Sequence, residues 1–263
     1  MAAENQKFKR TGTTTELELE EEGAPKRSCR LLHRVELEVI GRLETPFTER
    51  FAVPRQSGLA PSVPSRLRLL PPYDRKEAYA GIEAHSHLWI EIIFHKQKGR
   101  PSLTVRPPRL GGNRRSGVFA TRSPNRPSRL GLSVVRLERV DKGVLHLLGG
   151  DFLNGTPVVD IKPYLPYCDC LPEAISQLAP TPPIRATVSW DQQVDSRIRR
   201  HGERLGLDLS LLLREVLSYD HRPAYRTGTG KYGTRLFDLE IAWSYRPDGQ
   251  VEILAVEPVK PET

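Results

Sequence analysis

The chain has 263 residues, of which 38% are hydrophobic and 27% charged, and it carries a net charge of +8. This composition is typical of a soluble globular protein of one or two domains. No stretch approaches the roughly 18 consecutive apolar residues of a membrane helix, and the start lacks the apolar core of a secretory signal. We therefore expect a cytoplasmic protein with no membrane partner.

Residues 1–33 precede the first regular apolar pattern. They contain a basic stretch, a threonine run and then several glutamates, with few large apolar side chains to bury. A segment of this kind gains too little from burial to offset the entropy of ordering it. We predict a mobile N-terminal tail.

Residues 34–172 show short apolar alternations separated by glycine and proline. The strongest is 87–95, in which Leu88, Ile90, Ile92 and Phe94 share one face. Period-two patterns broken by turn residues favour a mainly β domain, a barrel or a sandwich, and not a Rossmann-type parallel sheet. The predicted strands lie at 35–39, 67–70, 87–95, 117–120, 133–139, 144–148 and 158–161.

Residues 173–263 have a different pattern after the proline-rich link 178–183. Charge at helical spacing predicts a helix over 190–205, and LSLLLREVL predicts another over 209–217, begun at Asp208 or Ser210. A Pro-Asp-Gly turn at 247–249 joins two apolar arms, 235–245 and 250–256, of which the first places Phe237 on one face with the alternate residues up to Tyr245. We predict a smaller α+β C-terminal domain.

Arginine is concentrated in one part of the chain. Nine arginines and no acidic residue lie between Arg100 and Arg136, interleaved with glycine and proline loops. Guanidinium groups bind phosphates through paired hydrogen bonds. The run favours a nucleic acid or another phosphorylated partner over a merely solubilising surface.

Two metal-like patterns are weak. His85, His87 and His95 share a strand face, but eight residues of strand span about 27 Å, too far for one ion. Cys168 and Cys170 are too close for an easy disulfide and have no second pair at zinc-finger spacing, so we expect reduced thiols and no metal. The dinucleotide fingerprint, the P-loop and the H-E-x-x-H motif are all missing.

Longer blocks of sequence identify a family. GVFATRSPNRPSRLGLSVV (117–135) and DFLNGTPVVDIKPYLPYCD (151–169) resemble the tRNA (adenine(37)-N6)-methyltransferase family, as do FAVPRQSGL (51–59), GIEAHSHLWIEIIFH (81–95) and VRPPRLGGN (105–113) in order and spacing. DHRPAYRTGTGKY (220–232) matches the family's C-terminal domain. The resemblance covers roughly Val35 to Pro258. Members use S-adenosylmethionine to methylate threonylcarbamoyladenosine beside the anticodon.

The resemblance implies a β-barrel catalytic domain, a small C-terminal domain and a homodimer whose cofactor sites involve both subunits. The cofactor contacts carried over by motif are Arg55, Gln56, Ser57, His95, Lys96, Arg122, Leu132, Asp151, Phe152, Leu153 and Asn154. The tRNA contacts expected from the arginine run and the C-terminal motif are Arg114, Arg115, Arg126, Arg222, Tyr225 and Arg226. The chain departs from the family pattern at Ser57, Asn125, Ser128, Arg129 and Asn154.

The cofactor's charges suit two of these residues. An arginine such as Arg122 pairs with its carboxylate, and an acid such as Asp151 with its ammonium or ribose. The proton-accepting group stays open among Asp151, Asp220 and Tyr225. Two other functions also stay open: a non-catalytic RNA-binding protein with the same barrel, and a hydrolase that uses the histidines.

Overall fold

The computed structural model describes residues 35–107, 114–220 and 230–259. The described residues from Leu37 onward form one compact unit. The predicted N-terminal tail, residues 1–33, lies outside the described residues, so its mobility stays a prediction.

The first part of the chain is a closed barrel. Six antiparallel strands follow one another around it in the order β1-β2-β7-β6-β3-β8, with β8 returning to β1. Strands β4 and β5 form a separate two-stranded excursion between β3 and β6. In chain order the strands are β1 Gly41–Glu44, β2 Pro64–Leu69, β3 His87–Ile93, β4 Thr104–Val105, β5 Ser116–Gly117, β6 Leu130–Asp141, β7 Val144–Leu148 and β8 Pro157–Pro163. The prediction of a mainly β domain is confirmed, and of the two predicted forms, barrel and sandwich, the structure is a barrel.

Alternation along the strands fills the barrel. Leu88 and Ile90 of β3 and Leu145 of β7 are each fully buried, while their neighbours along the strand face outward. Burial of side chains of this size stabilises a fold by roughly 1.5–3 kcal/mol each. Two single-turn helices, α1 Lys76–Tyr79 and α2 Pro166–Asp169, lie outside the barrel wall.

The second part of the chain is an α+β layer. Its sheet has the order β10-β11-β12-β9, in which only β9 runs parallel to its neighbour. Asp191 and Asp208 cap the two helices by accepting from the Val194 and Leu211 amides at 2.8 and 2.9 Å. The elements are β9 Val188–Ser189, α3 Gln192–Leu205, α4 Leu209–Leu217, β10 Lys231–Leu236, β11 Leu239–Tyr245 and β12 Val251–Pro258.

The segment between β1 and β2 belongs to the core of this second layer. Phe47, Ala52, Ala60 and Val63 are buried in the same apolar cluster as α3, α4 and the four-stranded sheet. A backbone bridge pairs Phe47 with Leu236. The Ser62 amide also donates to the Glu215 carboxylate of α4 at 2.7 Å. The loop 47–63 is therefore fixed by packing and hydrogen bonds to the C-terminal layer.

Three predicted strands are wrong in detail. Residues 35–39 are not a strand: Leu37 is half-exposed, and the regular structure begins at Gly41. Residues 118–120 form a 3₁₀ turn because the Thr121 amide and hydroxyl both bond to the Val118 carbonyl. The arm 235–245 is two strands, since the chain reverses at Phe237, which has a positive φ of 56° and so does not share the apolar face of β11.

The remaining predicted elements are confirmed. The strands at 67–70, 87–95, 133–139, 144–148 and 158–161 match β2, β3, β6, β7 and β8, and both helices match α3 and α4. Cys168 and Cys170 are free and exposed. Within the described ranges, every helix is too short or too polar to cross a membrane.

Candidate functional site

A cleft of about 730 Å³ opens beside the barrel where β3 ends and β6 begins. Its volume lies within the range of sites for cofactor-sized ligands, roughly 300–1,000 Å³. Ten of the eleven predicted cofactor residues line it: Arg55, Gln56, Ser57, His95, Lys96, Arg122, Leu132, Asp151, Phe152 and Leu153. Residues from separate stretches of the chain thus converge on one concave surface.

Backbone hydrogen bonds hold two of the lining loops together. The Gly58 amide donates to the Gly149 carbonyl at 2.8 Å, and the Gly149 amide donates to the Val63 carbonyl at 2.9 Å. Both glycines have positive φ, 77° and 80°, which side-chain-bearing residues rarely adopt. The loop carrying Arg55, Gln56 and Ser57 is thereby fixed against the loop that carries Asp151.

Asp151 is one of two acidic residues that line the cleft, the other being Glu91. The Ser133 hydroxyl donates to its Oδ1 at 2.6 Å. Burial raises the pKa of the Asp151 carboxyl above its ordinary value, and the bond from Ser133, the charge of Arg122 and the Ser57 backbone lower it only in part. A carboxylate in this environment gains stability from a cation placed beside it.

Arg122 brings a positive charge to the cleft. Its guanidinium donates to the Gln56 side-chain oxygen, and the Gln56 amide nitrogen donates to the Arg55 carbonyl. These contacts orient Arg122, which is otherwise exposed to solvent. The cleft therefore presents an acidic group and a guanidinium together, as an amino acid ligand requires.

Arg126 also lines the cleft but bonds to its own loop. Its guanidinium donates to the carbonyls of Ser123, at 3.0 Å, and Thr121. It therefore shapes the loop that presents Arg122. This side chain was predicted from the sequence as a tRNA contact, and that role stays a prediction.

Apolar side chains form the floor of the cleft. Phe152 is buried, and Ile92 and Phe94 lie beside Gly131. A methyl group on Gly131 would lie 2.6 Å from the tip of the Phe94 ring, so only glycine allows this packing. Such a floor suits the carbon chain or the aromatic base of a nucleoside cofactor.

His95 follows β3 at the edge of the cleft. Burial and the neighbouring charges of Lys96, Arg42 and Arg50 lower the pKa of its imidazole. The ring is therefore neutral at physiological pH and is able to accept one hydrogen bond and donate another.

Asn154 lies apart from the other predicted cofactor residues and does not line the cleft. Its side-chain oxygen accepts from the Thr45 amide at 3.1 Å, and its own amide donates to the Phe47 carbonyl at 2.8 Å. Asn154 thus joins the loop after Phe152 to the end of β1. The chain turns away from the cleft at this point, and the Asn154 side chain therefore does not face it.

Sequence reasoning missed Ser133, Trp89 and Glu91, which also line the cleft. Ser133 is buried beside Asp151, and the inward phase of β6 is the signal that would have found it. On the outer face of β3, Glu91 accepts from Lys162 at 2.6 Å and the Trp89 indole donates to Asp169 at 2.8 Å. These two side chains form the outer rim.

The predicted tRNA contacts are only partly described. Arg114 and Arg115 are exposed just before β5. Arg222, Tyr225 and Arg226 lie outside the described residues. Of the groups considered as proton acceptors, Tyr225 lies outside as well, and the Asp220 carboxylate accepts from the Tyr245 hydroxyl at 3.1 Å. In the three described ranges, no group of three or more His, Cys, Asp or Glu side chains is placed to hold a metal ion.

Two family models match the chain. The model of the tRNA-methyltransferase O N-terminal domain matches residues 42–170, and that of the TrmO C-terminal domain matches residues 183–259. Together they span both the barrel and the C-terminal layer.

Individual relatives agree over most of their length. The tRNA (adenine(37)-N6)-methyltransferase of Escherichia coli (strain K12) is 45% identical over 232 residues, covering 85% of this chain and 98% of the relative. A Pseudomonas aeruginosa protein named "Putative S-adenosylmethionine-dependent methyltransferase RcsF" is 47% identical over 213 residues, covering 80% of this chain and 92% of the relative. The crystal structure of TrmO from Pseudomonas aeruginosa superimposes with a TM-score of 0.75 at 38% identity, covering 86% of this chain and 99% of the other.

Proposed function

Because this chain belongs to the tRNA-methyltransferase O family, we propose that it is an S-adenosylmethionine-dependent enzyme that methylates N6 of adenosine 37 in tRNA. The observation that carries the proposal is the cleft, in which Asp151 and Arg122 present opposite charges above an apolar floor. The Escherichia coli relative named for this reaction shares 45% of its sequence with the chain.

The residues of the cleft fit the cofactor. S-adenosylmethionine, when bound, supplies an electrophilic methyl group on a sulfonium. Arg122 would bind its carboxylate, Asp151 its ammonium, and the apolar surface of Phe94 its adenosine. The pairing with an ammonium also offsets the cost of burying the Asp151 charge, since a nearby cation favours the ionised carboxyl.

Alignment is the main contribution of the protein to methyl transfer. The loops are fixed to each other by the Gly58–Gly149 bond, so the cleft is formed before the ligand arrives. Holding two reacting groups in line converts a bimolecular step into an effectively unimolecular one, which contributes about 7–11 kcal/mol in favourable cases. The exposed side of the cleft is where the adenosine must enter.

We propose that the substrate is the threonylcarbamoylated form of this adenosine. Its N6 belongs to a urea-like group and carries a proton, so a neighbouring base or a twisted geometry is required. The added carboxylate of the threonyl group also suits a basic entrance. Arg55, Lys96 and Arg122 line the cleft and supply that charge.

We propose further that the protein acts as a homodimer in the cytoplasm, where its tRNA substrate is found. Leu132 is 54% exposed on the outer face of β6, beside Trp89 and Val134 at the rim. A second copy packed on this apolar rim would close the open flank of the cleft. Exclusion of water from the cleft would then depend on both copies.

Calorimetric titration with S-adenosylmethionine tests the proposal. Arg122→Ala removes a hydrogen bond to a charged group, worth about 1.5–3 kcal/mol, and we expect a roughly 10- to 150-fold weaker Kd. Arg199→Ala is the matched control, because Arg199 is an exposed arginine on α3 outside the cleft. Equal affinity of the two variants would contradict the assigned site.

A methylation assay distinguishes an enzyme from a binding protein with the same barrel. Purified protein, S-adenosylmethionine and tRNA with or without the threonylcarbamoyl group should yield methylated product only with the modified tRNA. Methylated product from both tRNAs would refute the proposed substrate but would still show that the protein is a methyltransferase. Binding of tRNA without cofactor binding or product would favour a non-catalytic RNA-binding protein.

A further inference from the structure

The excursion between β3 and β6 displays two large apolar side chains to solvent. Phe119 is 80% exposed and Leu103 is 78% exposed. They lie on adjacent segments, since the Val118 amide donates to the Leu103 carbonyl at 3.0 Å. An aromatic ring left in water by a folded segment loses the stabilisation that burial would give it.

The exposure of Phe119 is not that of a loose loop. Val118, the residue before it, is 1% exposed, and Thr121, two residues after it, is 6% exposed. The Thr121 hydroxyl donates to the Val118 carbonyl at 2.8 Å and closes the 3₁₀ turn. The backbone that carries the ring is thus fixed by two nearby buried residues. Such a ring is prepared to bind, because little entropy is lost when a partner covers it.

The stretch of chain that carries this ring has charges of one sign. Between Glu91 and Glu138 the sequence has no acidic residue. The exposed arginines of the described part of this stretch are Arg100, Arg106, Arg114, Arg115, Arg122 and Arg136. A protein partner would need several acidic side chains placed to match them, whereas a nucleic acid brings a phosphate at each nucleotide.

The position of the ring relates it to the cleft. Arg122, three residues after Phe119, lines the cleft, as does Thr121. A nucleotide on Phe119 would therefore be a near neighbour of the nucleotide whose base enters the cleft. Unpaired loop bases are commonly held by stacking on aromatic side chains, while arginines bind the backbone.

We infer that Phe119, with Leu103 beside it, is a stacking platform for an unpaired anticodon-loop base next to the methylated adenosine. The inference rests on the proposed function and adds a recognition residue to it. Stacking there would hold the neighbouring base while the target base leaves the stack, and so would position the substrate. Phe119 is in this sense a positioning residue and takes no part in the chemistry.

Fluorescence of an anticodon stem-loop tests the inference. The stem-loop carries 2-aminopurine at one unpaired position beside the target adenosine, and stacking on an aromatic ring quenches it. With the full chain we expect quenching that is lost in Phe119→Ala, together with an increase in Kd of about 5- to 150-fold, the range for one stacked base. Phe119→Trp should retain the quenching, and Phe119→Leu, which keeps apolar area without a ring, should lose it.

Two controls show whether a loss of binding is specific to this ring. Tyr167→Ala removes an aromatic ring that is 86% exposed but lies on α2, outside the arginine-rich excursion, and should leave stem-loop binding unchanged. The affinity of Phe119→Ala for S-adenosylmethionine should equal that of the wild type, which shows that the cleft is intact.

Three outcomes would overturn the inference. If Phe119→Ala binds the stem-loop as tightly as the wild type does, and the wild type methylates tRNA, the stacking platform is refuted and the proposed function is not. A changed oligomeric state of Phe119→Ala in sedimentation would assign the ring to a contact between copies. A wild type that binds neither cofactor nor stem-loop would refute the proposed function itself, and the platform with it.

Discussion

Replacing Gly150 with alanine tests the packing beneath the cleft. A methyl group built on Gly150 lies 2.6 and 2.7 Å from two carbons of the Phe152 ring, closer than side-chain carbons approach in folded proteins. Phe152 is 1% exposed and packs in the apolar cluster of the barrel, so a shift of its ring would disturb other buried side chains. Overpacking of this kind costs about 1–3 kcal/mol. For a chain of this size each kcal/mol lowers Tm by about 2–4 °C, so we expect a fall of roughly 2–12 °C.

The same substitution should affect the cofactor site. Asp151 lies between Gly150 and Phe152, and a displaced ring would shift its carboxyl away from Ser133. We expect weaker binding of S-adenosylmethionine in calorimetry alongside the lower Tm. Gly117→Ala is the matched control, because Gly117 has a negative φ of −56° and nothing within 4 Å of the added methyl group. Equal Tm values for the two variants would refute the packing argument.

Two further variants test buried titratable groups. Asp151→Asn should bind S-adenosylmethionine less tightly yet unfold at higher urea concentration at pH 8, because burial raises the pKa of Asp151 above 3.8 and the wild type loses stability as the pH rises from 3.8 through the raised pKa; urea midpoints that change equally with pH in the variant and the wild type above pH 3.8 would contradict this. His201→Leu should gain about 1 kcal/mol, since neither ring nitrogen of the buried His201 finds a hydrogen-bond partner in the described part of the chain. Burial also lowers the pKa of His201 below its ordinary value of 6.5. The wild type should therefore lose stability as the pH falls below 6.5, where the unfolded chain binds a proton before the folded one. The urea midpoint of His201→Leu should not show this loss.

The strands that were predicted correctly are those whose alternation is matched by burial. Leu88, Ile90 and Ile92 are inside the barrel, and period two identifies them without further information. Residues 35–39 alternate equally well but pack against too little for a strand to form. Phe237 is a different case. The chain reverses at this residue, which has a positive φ, but an aromatic residue in the sequence does not indicate a turn.

The site could be predicted only as a set of linear motifs. The motifs named ten residues of the cleft, because each loop contributes a contiguous stretch. They could not distinguish Asp151, which faces the cleft, from Asn154, three residues later, which bonds to Thr45 and Phe47. Nor could they find Ser133, whose part depends on a contact between β6 and the loop after β7. Such contacts follow from the closure of the barrel and not from local pattern.

The shared core described for the loop 47–63 has a consequence for how the protein is made. A ribosome releases the chain from its N-terminus, so Phe47, Ala52 and Val63 emerge long before α4 and β12, which cover them in the finished fold. Until then these side chains are exposed to water. The Ser62 amide also lacks its hydrogen bond to Glu215, which lies 153 positions further along the chain. The barrel strands are able to pair early, but the loop that carries Arg55 and Gln56 is packed only after α4 and β12 have been synthesised. The capacity to bind the cofactor should therefore arise only once the C-terminal layer has folded.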